Sequence, residues 1–256
     1  MSDEAIWRAP ELGWRIGLQS IGRELRSFVD PFDPLQPFNR RLAWAFATQF
    51  PKAVAAAHSF IPTEGHMLKS QARFFQRMMV QQPWVTNVAE VGFNGGHSSW
   101  IFLSSRPDVT VTSFDLGDHE YVTMSKSLID RLFPGRHQLV IGDSRLTLPA
   151  FSESQPKRKF DLIYIDGGHD YEVARADLNH CRLLATNRSV VIIDDLIPHK
   201  SWGAGPARAW IDAQREGLIH EDVLIEDGFP VVGTFASEIE EKGQVWALGH
   251  YLDAGV

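Results

Sequence analysis

Residues 88–98 read Val88-Ala89-Glu90-Val91-Gly92-Phe93-Asn94-Gly95-Gly96-His97-Ser98. A short β-favouring run, Val88 to Gly92, turns through glycines into a helical pattern from about Ser98 to Ser105. Glycines at such a turn let the chain reverse sharply and let a ligand lie against the main chain. The same strand-turn-helix unit then recurs. Val109 to Asp115 reads as a strand before a helix over Tyr121 to Leu132. His137 to Gly142 precedes a short helix near Leu146 to Phe151, and Phe160 to Asp166 precedes a helix over Tyr171 to Ala185. Val190 to Asp194 precedes Pro206 to Glu216, a helix opened by proline and closed by Gly217.

Strands alternating with helices predict a parallel sheet covered on both faces. The end of the chain departs from that rhythm. Asp222 to Glu226, Val231 to Ala236 and Val245 to Tyr251 read as strands, with no helical pattern between the last two. The expected architecture is therefore doubly wound α/β: a seven-stranded, mostly parallel sheet with a C-terminal antiparallel hairpin, occupying residues 61–256. Residues 1–60 read as a helical extension broken at Asp30-Pro31-Phe32-Asp33-Pro34 and again at Pro37. Its aromatics (Trp14, Phe28, Phe32, Phe38, Trp44 and Phe46) suit a packed cap or an oligomer contact, and a homodimer is one expectation.

Composition narrows the function classes. A hydrophobic fraction of 44% over 256 residues suffices for a full core. The net charge is −7, and no Lys/Arg-rich run offers the basic surface that phosphate contacts need, so nucleic acid is not expected as an obligate partner. The single cysteine, Cys181, excludes an internal disulfide framework and a multi-cysteine metal site. Its spacing with Ala174, Leu178 and Ala185 places it on an apolar helix face, a packing position. The N-terminus lacks the basic start and apolar core of a signal peptide, and the apolar runs are too short to cross a bilayer. The expectation is a cytoplasmic protein that engages neither membrane nor nucleic acid.

Acids stand at the ends of successive strands, where ligands bind such sheets. Glu90 precedes the first glycine by two residues, giving E-x-G-x-x-G. The dinucleotide fingerprint G-x-G-x-x-G is not met, because position 94 is Asn. A cofactor with an amino group and a positive sulfur, and no phosphate, suits a strand-end carboxylate better than a pyrophosphate does. Asp115 ends the second strand, where an acid accepts two hydroxyl hydrogen bonds from a ribose. Asp143 and Ser144 follow the third strand, where they could meet an adenine edge. Each acid taken alone is equally an ordinary helix cap.

The fourth strand ends Ile165-Asp166-Gly167-Gly168-His169 and the fifth ends Ile193-Asp194-Asp195. One βαβ unit apart, their acids should reach the same rim. Carboxylates so placed repel unless a cation or a proton lies between them. Oxygen ligands favour Mg²⁺, or Mn²⁺ or Ca²⁺, over zinc. The competing reading makes these aspartates caps of the following loop and helix. His169 has the acid-base chemistry to take a hydroxyl proton; a cap, a substrate contact and a metal ligand are its other readings. His199 reads as a lining of the substrate mouth or a solvated loop residue. Thr63-Glu64-Gly65-His66 reads as a cover over the cofactor or a helix cap.

Taken together, these motifs resemble the class I S-adenosylmethionine-dependent methyltransferases, and specifically the cation-dependent O-methyltransferases of catechols, caffeoyl-coenzyme A and macrolide sugars. The resemblance runs from about Pro62 to the C-terminus. It implies S-adenosyl-L-methionine contacts at Glu90, Gly92, Ser98, Asp115, Asp143 and Ser144. It implies metal ligands at Asp166, Asp194 and Asp195, with Asp166 and His169 catalytic. Position 195 is often Asn in catechol enzymes, and His169 stands where they carry Lys; both departures are similar to sugar enzymes. A small-molecule hydroxyl, on a sugar, natural product or catechol-like compound, is the implied acceptor. A metal-independent methyltransferase, or a cofactor-binding protein without methyl transfer, remains as an alternative.

Overall fold

The computed structural model describes residues 34, 35, 37, 38, 41, 67–231 and 243–252. Helix α1 spans Lys69–Gln81, and the alternating region follows: β1 (Asn87–Val91), α2 (His97–Ser105), β2 (Thr110–Asp115), α3 (Glu120–Leu132), β3 (His137–Ile141), α4 (Ser144–Ser154), β4 (Leu162–Ile165), α5 (Tyr171–Cys181), β5 (Val190–Ile193) and α6 (Ala204–Arg215). The chain continues with β6 (Ile219–Glu226), the two-residue β7 (Phe229–Pro230) and β8 (Val245–Tyr251). Among the described residues the sheet has eight strands in the order β3-β2-β1-β4-β5-β8-β6-β7. β1 to β5 are parallel, whereas β8 runs antiparallel between β5 and β6.

The doubly wound class and the antiparallel finish match the sequence reading. The described sheet has one strand more than the seven expected, although the sequence offers eight strand-like runs; the two-residue β7 pairs with β6 at the edge. Of the strand expected over Val231 to Ala236, Val231 lies outside any strand and the remainder lies outside the described residues. Helix α4 is longer than expected. Asp143 caps it by accepting the Arg145 N–H at 3.0 Å, and Pro149 sits within it.

Strand alternation sorts the core into two layers. Val88, Tyr164 and Ile192 face α1, α2 and α3, together with Phe74, Phe75 and Phe102. Ala89, Val91, Ile163, Ile165 and Ile193 face α4, α5 and α6, together with Leu178, Cys181 and Trp210. Cys181 is fully buried, as its helical spacing suggested. Of the N-terminal residues, Phe38 is buried and stacks on Trp100 of α2 at a ring separation of 5.2 Å. The Trp100 indole N–H donates to the Pro34 carbonyl at 3.2 Å.

Candidate active site

The turns after β1, β4 and β5 meet at one rim. Gly92 has φ +93°, and a Cβ there would stand 1.9 Å from the Asp166 carbonyl oxygen. Only glycine permits both the left-handed backbone and that approach. The Asp166 N–H donates to the Val91 carbonyl at 2.9 Å, so the glycine turn and the fourth strand end are locked side by side. β4 and β5 pair with Ile165 opposite Ile193, which brings Asp166 and Asp194 level. From below, α6 closes on the same turns, since a Cβ on Gly205 would stand 2.1 Å from the His169 carbonyl oxygen.

Glu90 lies beneath the glycine turn with no exposed surface. It shares the α2 side of β1 with Val88. Ser98, Ser99 and Ser113 all donate hydroxyls to its carboxylate, Ser99 at 2.6 Å. His137 Nε2 lies 2.9 Å from Ser113 Oγ. Burial raises the Glu90 carboxyl to about 7 even against three donors, and burial lowers the His137 imidazole to about 3. Glu90 and Ser98 thus bind each other at the head of α2.

Asp115 gathers the same turn from β2. One oxygen accepts the N–H groups of Phe93 (2.9 Å) and Asn94 (2.8 Å), and the other accepts that of Gly117 (2.8 Å). Asp143 is half-buried and tied to Arg145, whose guanidinium holds its carboxyl below the usual range. Ser144 begins α4 beside the buried Asp177, whose carboxyl burial pushes up to about 6.

At the centre, Asp166, His169 and Asp195 bring ligand atoms within 4.8 Å of one another. His169 Nε2 lies 3.0 Å from Asp195 Oδ2, and the imidazole is 40% exposed at the mouth. Asp194 behaves differently from its neighbour. Alternation turns it to the α1 face with Ile192, where it is buried and accepts from Gln71 Nε2 (2.6 Å) and the Tyr164 hydroxyl (2.7 Å). Asp195, at φ +56°, swings out toward His169 instead. Burial comes first in raising both Asp166 and Asp194, the latter to about 7, and neighbouring carboxylates add to it. The three expected metal aspartates are adjacent, but the donor set that faces one point contains His169 in place of Asp194.

Sequence reasoning missed Tyr164, Gln71 and Gln244, the last with its amide 3.4 Å from Asp194 Oδ2. Tyr164 was within reach, because it stands two residues before Asp166 and so shares its face. Gln71 is 123 positions from Asp194, and no local pattern links them. Ser99, Ser113 and His137 were missed for the same reason. His199 is exposed on the loop after β5, and Thr63 to His66 lie outside the described residues.

Residues 89–196, from β1 to just beyond β5, match the family model of a methyltransferase domain. Solved structures extend the likeness to most of the chain. An O-methyltransferase from Bacillus cereus in complex with SAH has a TM-score of 0.58 at 17% identity, covering 90% of this chain and 97% of its own. The O-methyltransferase TomG from Streptomyces achromogenes, involved in tomaymycin synthesis and solved with SAM, has a TM-score of 0.58 at 15% identity, covering 91% and 96%. CalS11, a TDP-rhamnose 3'-O-methyltransferase of calicheamicin biosynthesis, has a TM-score of 0.50 at 19% identity, covering 88% and 98%. At these identities the likeness establishes the fold. No curated protein matches the sequence. No helix among the described residues is long and apolar enough to cross a membrane.

Proposed function

We propose that this protein transfers the methyl group of S-adenosyl-L-methionine to a hydroxyl of a small molecule, with a divalent cation, Mg²⁺ or else Mn²⁺ or Ca²⁺, at the strand ends. The observation that carries this reading is the convergence of Asp166, His169 and Asp195 beside the Gly92 turn. The carboxylates of Asp166 and Asp195 at one rim suit such a cation, which also relieves the repulsion between them, with the His169 imidazole beside them as the base. Asp194 supports that set from beneath through the N–H of Asp195, which donates to it at 2.8 Å. When bound, the cation would draw electron density from the acceptor hydroxyl and fix its direction.

The chain's own residues do the rest. The Gly92 turn, Asp115, Asp143 and Ser144 line the cofactor crevice; Glu90 and Ser98 hold the head of α2 under it. Asp195 orients the His169 imidazole, whose other nitrogen takes the hydroxyl proton. The hydroxyl oxygen then bonds to the methyl carbon as the carbon–sulfur bond breaks, leaving S-adenosylhomocysteine as a neutral thioether. Positioning supplies most of the rate gain in such a transfer. His169 together with Asp195 supports a sugar or other aliphatic hydroxyl as acceptor, in natural-product chemistry, and CalS11 shows the fold used for a sugar.

The contact between His169 and Asp195 also supports a second reading, in which this dyad works without a cation. Methyl transfer to a panel of hydroxyl acceptors, measured with and without EDTA, separates the two. Loss of product in EDTA, restored by Mg²⁺, is expected; full activity in EDTA rejects the cation. Bound cofactor without methylated product from any acceptor rejects methyl transfer. Near wild-type turnover in His169→Ala rejects the base.

A further inference from the structure

Asp195 adopts φ +56°, a left-handed backbone that a side chain disfavours and that persists only where its surroundings fix it. That conformation carries its carboxylate out to His169 Nε2, 3.0 Å away. The Asp195 N–H donates to Asp194 Oδ1 at 2.8 Å, and the Asp195 carbonyl accepts the Ile197 N–H at 2.8 Å. The direction of Asp195 therefore depends on where the Asp194 carboxylate is held.

Three side chains from separate parts of the chain reach the other oxygen of Asp194. The Tyr164 hydroxyl of β4 lies 2.7 Å from it but also 3.0 Å from Asp166 Oδ2, so its single proton is contested. The Gln244 amide, just before β8, stands 3.4 Å away, longer than an ordinary hydrogen bond. Gln71 of α1 comes closest, with Nε2 at 2.6 Å. The reverse orientation of that amide would set its carbonyl oxygen against a carboxylate. Gln71 has no exposed surface, and its carbonyl oxygen is buried without a partner, so Asp194 is what the amide answers to. A charge-assisted bond shielded from water is among the stronger ones a side chain makes.

The packing of α1 delivers this amide. Phe74 and Phe75 stand three and four residues beyond Gln71, one turn along the same buried face. The Phe75 ring lies 5.2 Å from that of Tyr164, and the Phe74 ring 5.5 Å from that of Trp246 in β8. Both rings thus fix α1 against the strands that carry the weaker donors.

We propose that Gln71 is a positioning residue for the transfer: it clamps Asp194, and the clamped Asp194 holds the Asp195 N–H so that the Asp195 carboxylate stays turned to His169. The consequence for turnover rests on the methyl-transfer reading above. The consequence for the His169 contact stands without it. Gln71 precedes the matched residues 89–196, so the dyad depends on a helix outside them.

Gln71→Met keeps the length of the side chain and removes the donor. In the full chain without ligands, the imidazole ¹H–¹⁵N signals of His169 should shift from their wild-type positions as its contact with Asp195 loosens. With cofactor and acceptor present, kcat should fall about 10-fold to 100-fold, while acceptor KM and S-adenosylhomocysteine affinity change by less than about threefold. Added to Asp195→Ala, Gln71→Met should leave the His169 signals where Asp195→Ala alone puts them. Coupling between two positions is reciprocal. If Gln71→Met fails to fold, the Gln71 side-chain amide signals should therefore still shift in Asp195→Ala. Unmoved His169 signals in folded Gln71→Met, an equal shift in the Asp195→Ala background, or unmoved Gln71 signals in Asp195→Ala would each overturn the proposal. A wild-type chain that methylates no acceptor overturns the transfer reading instead, and the spectra then decide the role of Gln71.

Discussion

The Tyr164 hydroxyl lies 2.7 Å from Asp194 Oδ2 and 3.0 Å from Asp166 Oδ2. A hydroxyl has one proton and can donate to only one of two carboxylates. The third participant must supply a proton of its own or give way to a cation, which agrees with the raised affinity of both acids for protons. The phenol is thus the floor on which the strand-end acids rest.

Tyr164→Phe should keep the fold, since the ring still packs on Phe75 and Phe102. It removes the donor to a buried carboxylate, a loss worth about 1–3 kcal/mol. The expected outcome is a lower unfolding midpoint in urea, together with a fall in turnover that exceeds any loss of S-adenosylhomocysteine affinity by calorimetry.

Gly92→Ala should be among the most damaging single substitutions. The added methyl meets the Asp166 carbonyl in a backbone conformation that alanine resists. A cost of about 3 kcal/mol or more is expected, seen as a large drop in melting temperature. A wild-type melt for this variant would contradict the described packing of the two turns.

Asp115→Ala removes the carboxylate that gathers two N–H groups of the Gly92 turn and that of Gly117. Binding of S-adenosylhomocysteine should weaken by roughly 10-fold to 100-fold, on the scale of one lost charge-assisted hydrogen bond. Calorimetric titration measures it directly.

Stability of the metal-free chain should carry opposing pH slopes. Glu90 and Asp194 bind protons more tightly folded than unfolded, so they favour the folded state at low pH, and that support is lost as pH rises toward about 7. His137 does the reverse: its neutral form belongs to the folded state, so stability is gained as pH rises from about 3 to the ordinary histidine range. Glu90→Gln cancels one falling component. Relative to wild type, its urea midpoint should therefore improve on going from about pH 5 to about pH 7.5. An unchanged difference between the two pH values would remove Glu90 from this role.

Much of this architecture was legible in the sequence because short strands buried on both faces leave a plain mark. Val190 to Ile193 and Leu162 to Ile165 are almost wholly apolar, and the rim acids follow them directly. The antiparallel finish was legible too, from the missing helical pattern after Gly217. What the sequence concealed was depth. Asp194 and Asp195 are neighbours in the chain, yet one φ of +56° sends Asp195 to the mouth, while alternation buries Asp194 under Gln71. Glu90 read as a cofactor acid by its place before the glycines. Its three serine partners come from two separate elements that only the folded sheet brings together.

The sharpest test is a crystal structure of the protein soaked with S-adenosylhomocysteine and Mg²⁺. The thioether sulfur is expected over the Gly92 turn, turned toward Asp166, His169 and Asp195, with density for a cation among them. Ligand bound at another edge of the sheet, or a sulfur directed away from those three side chains, would contradict it.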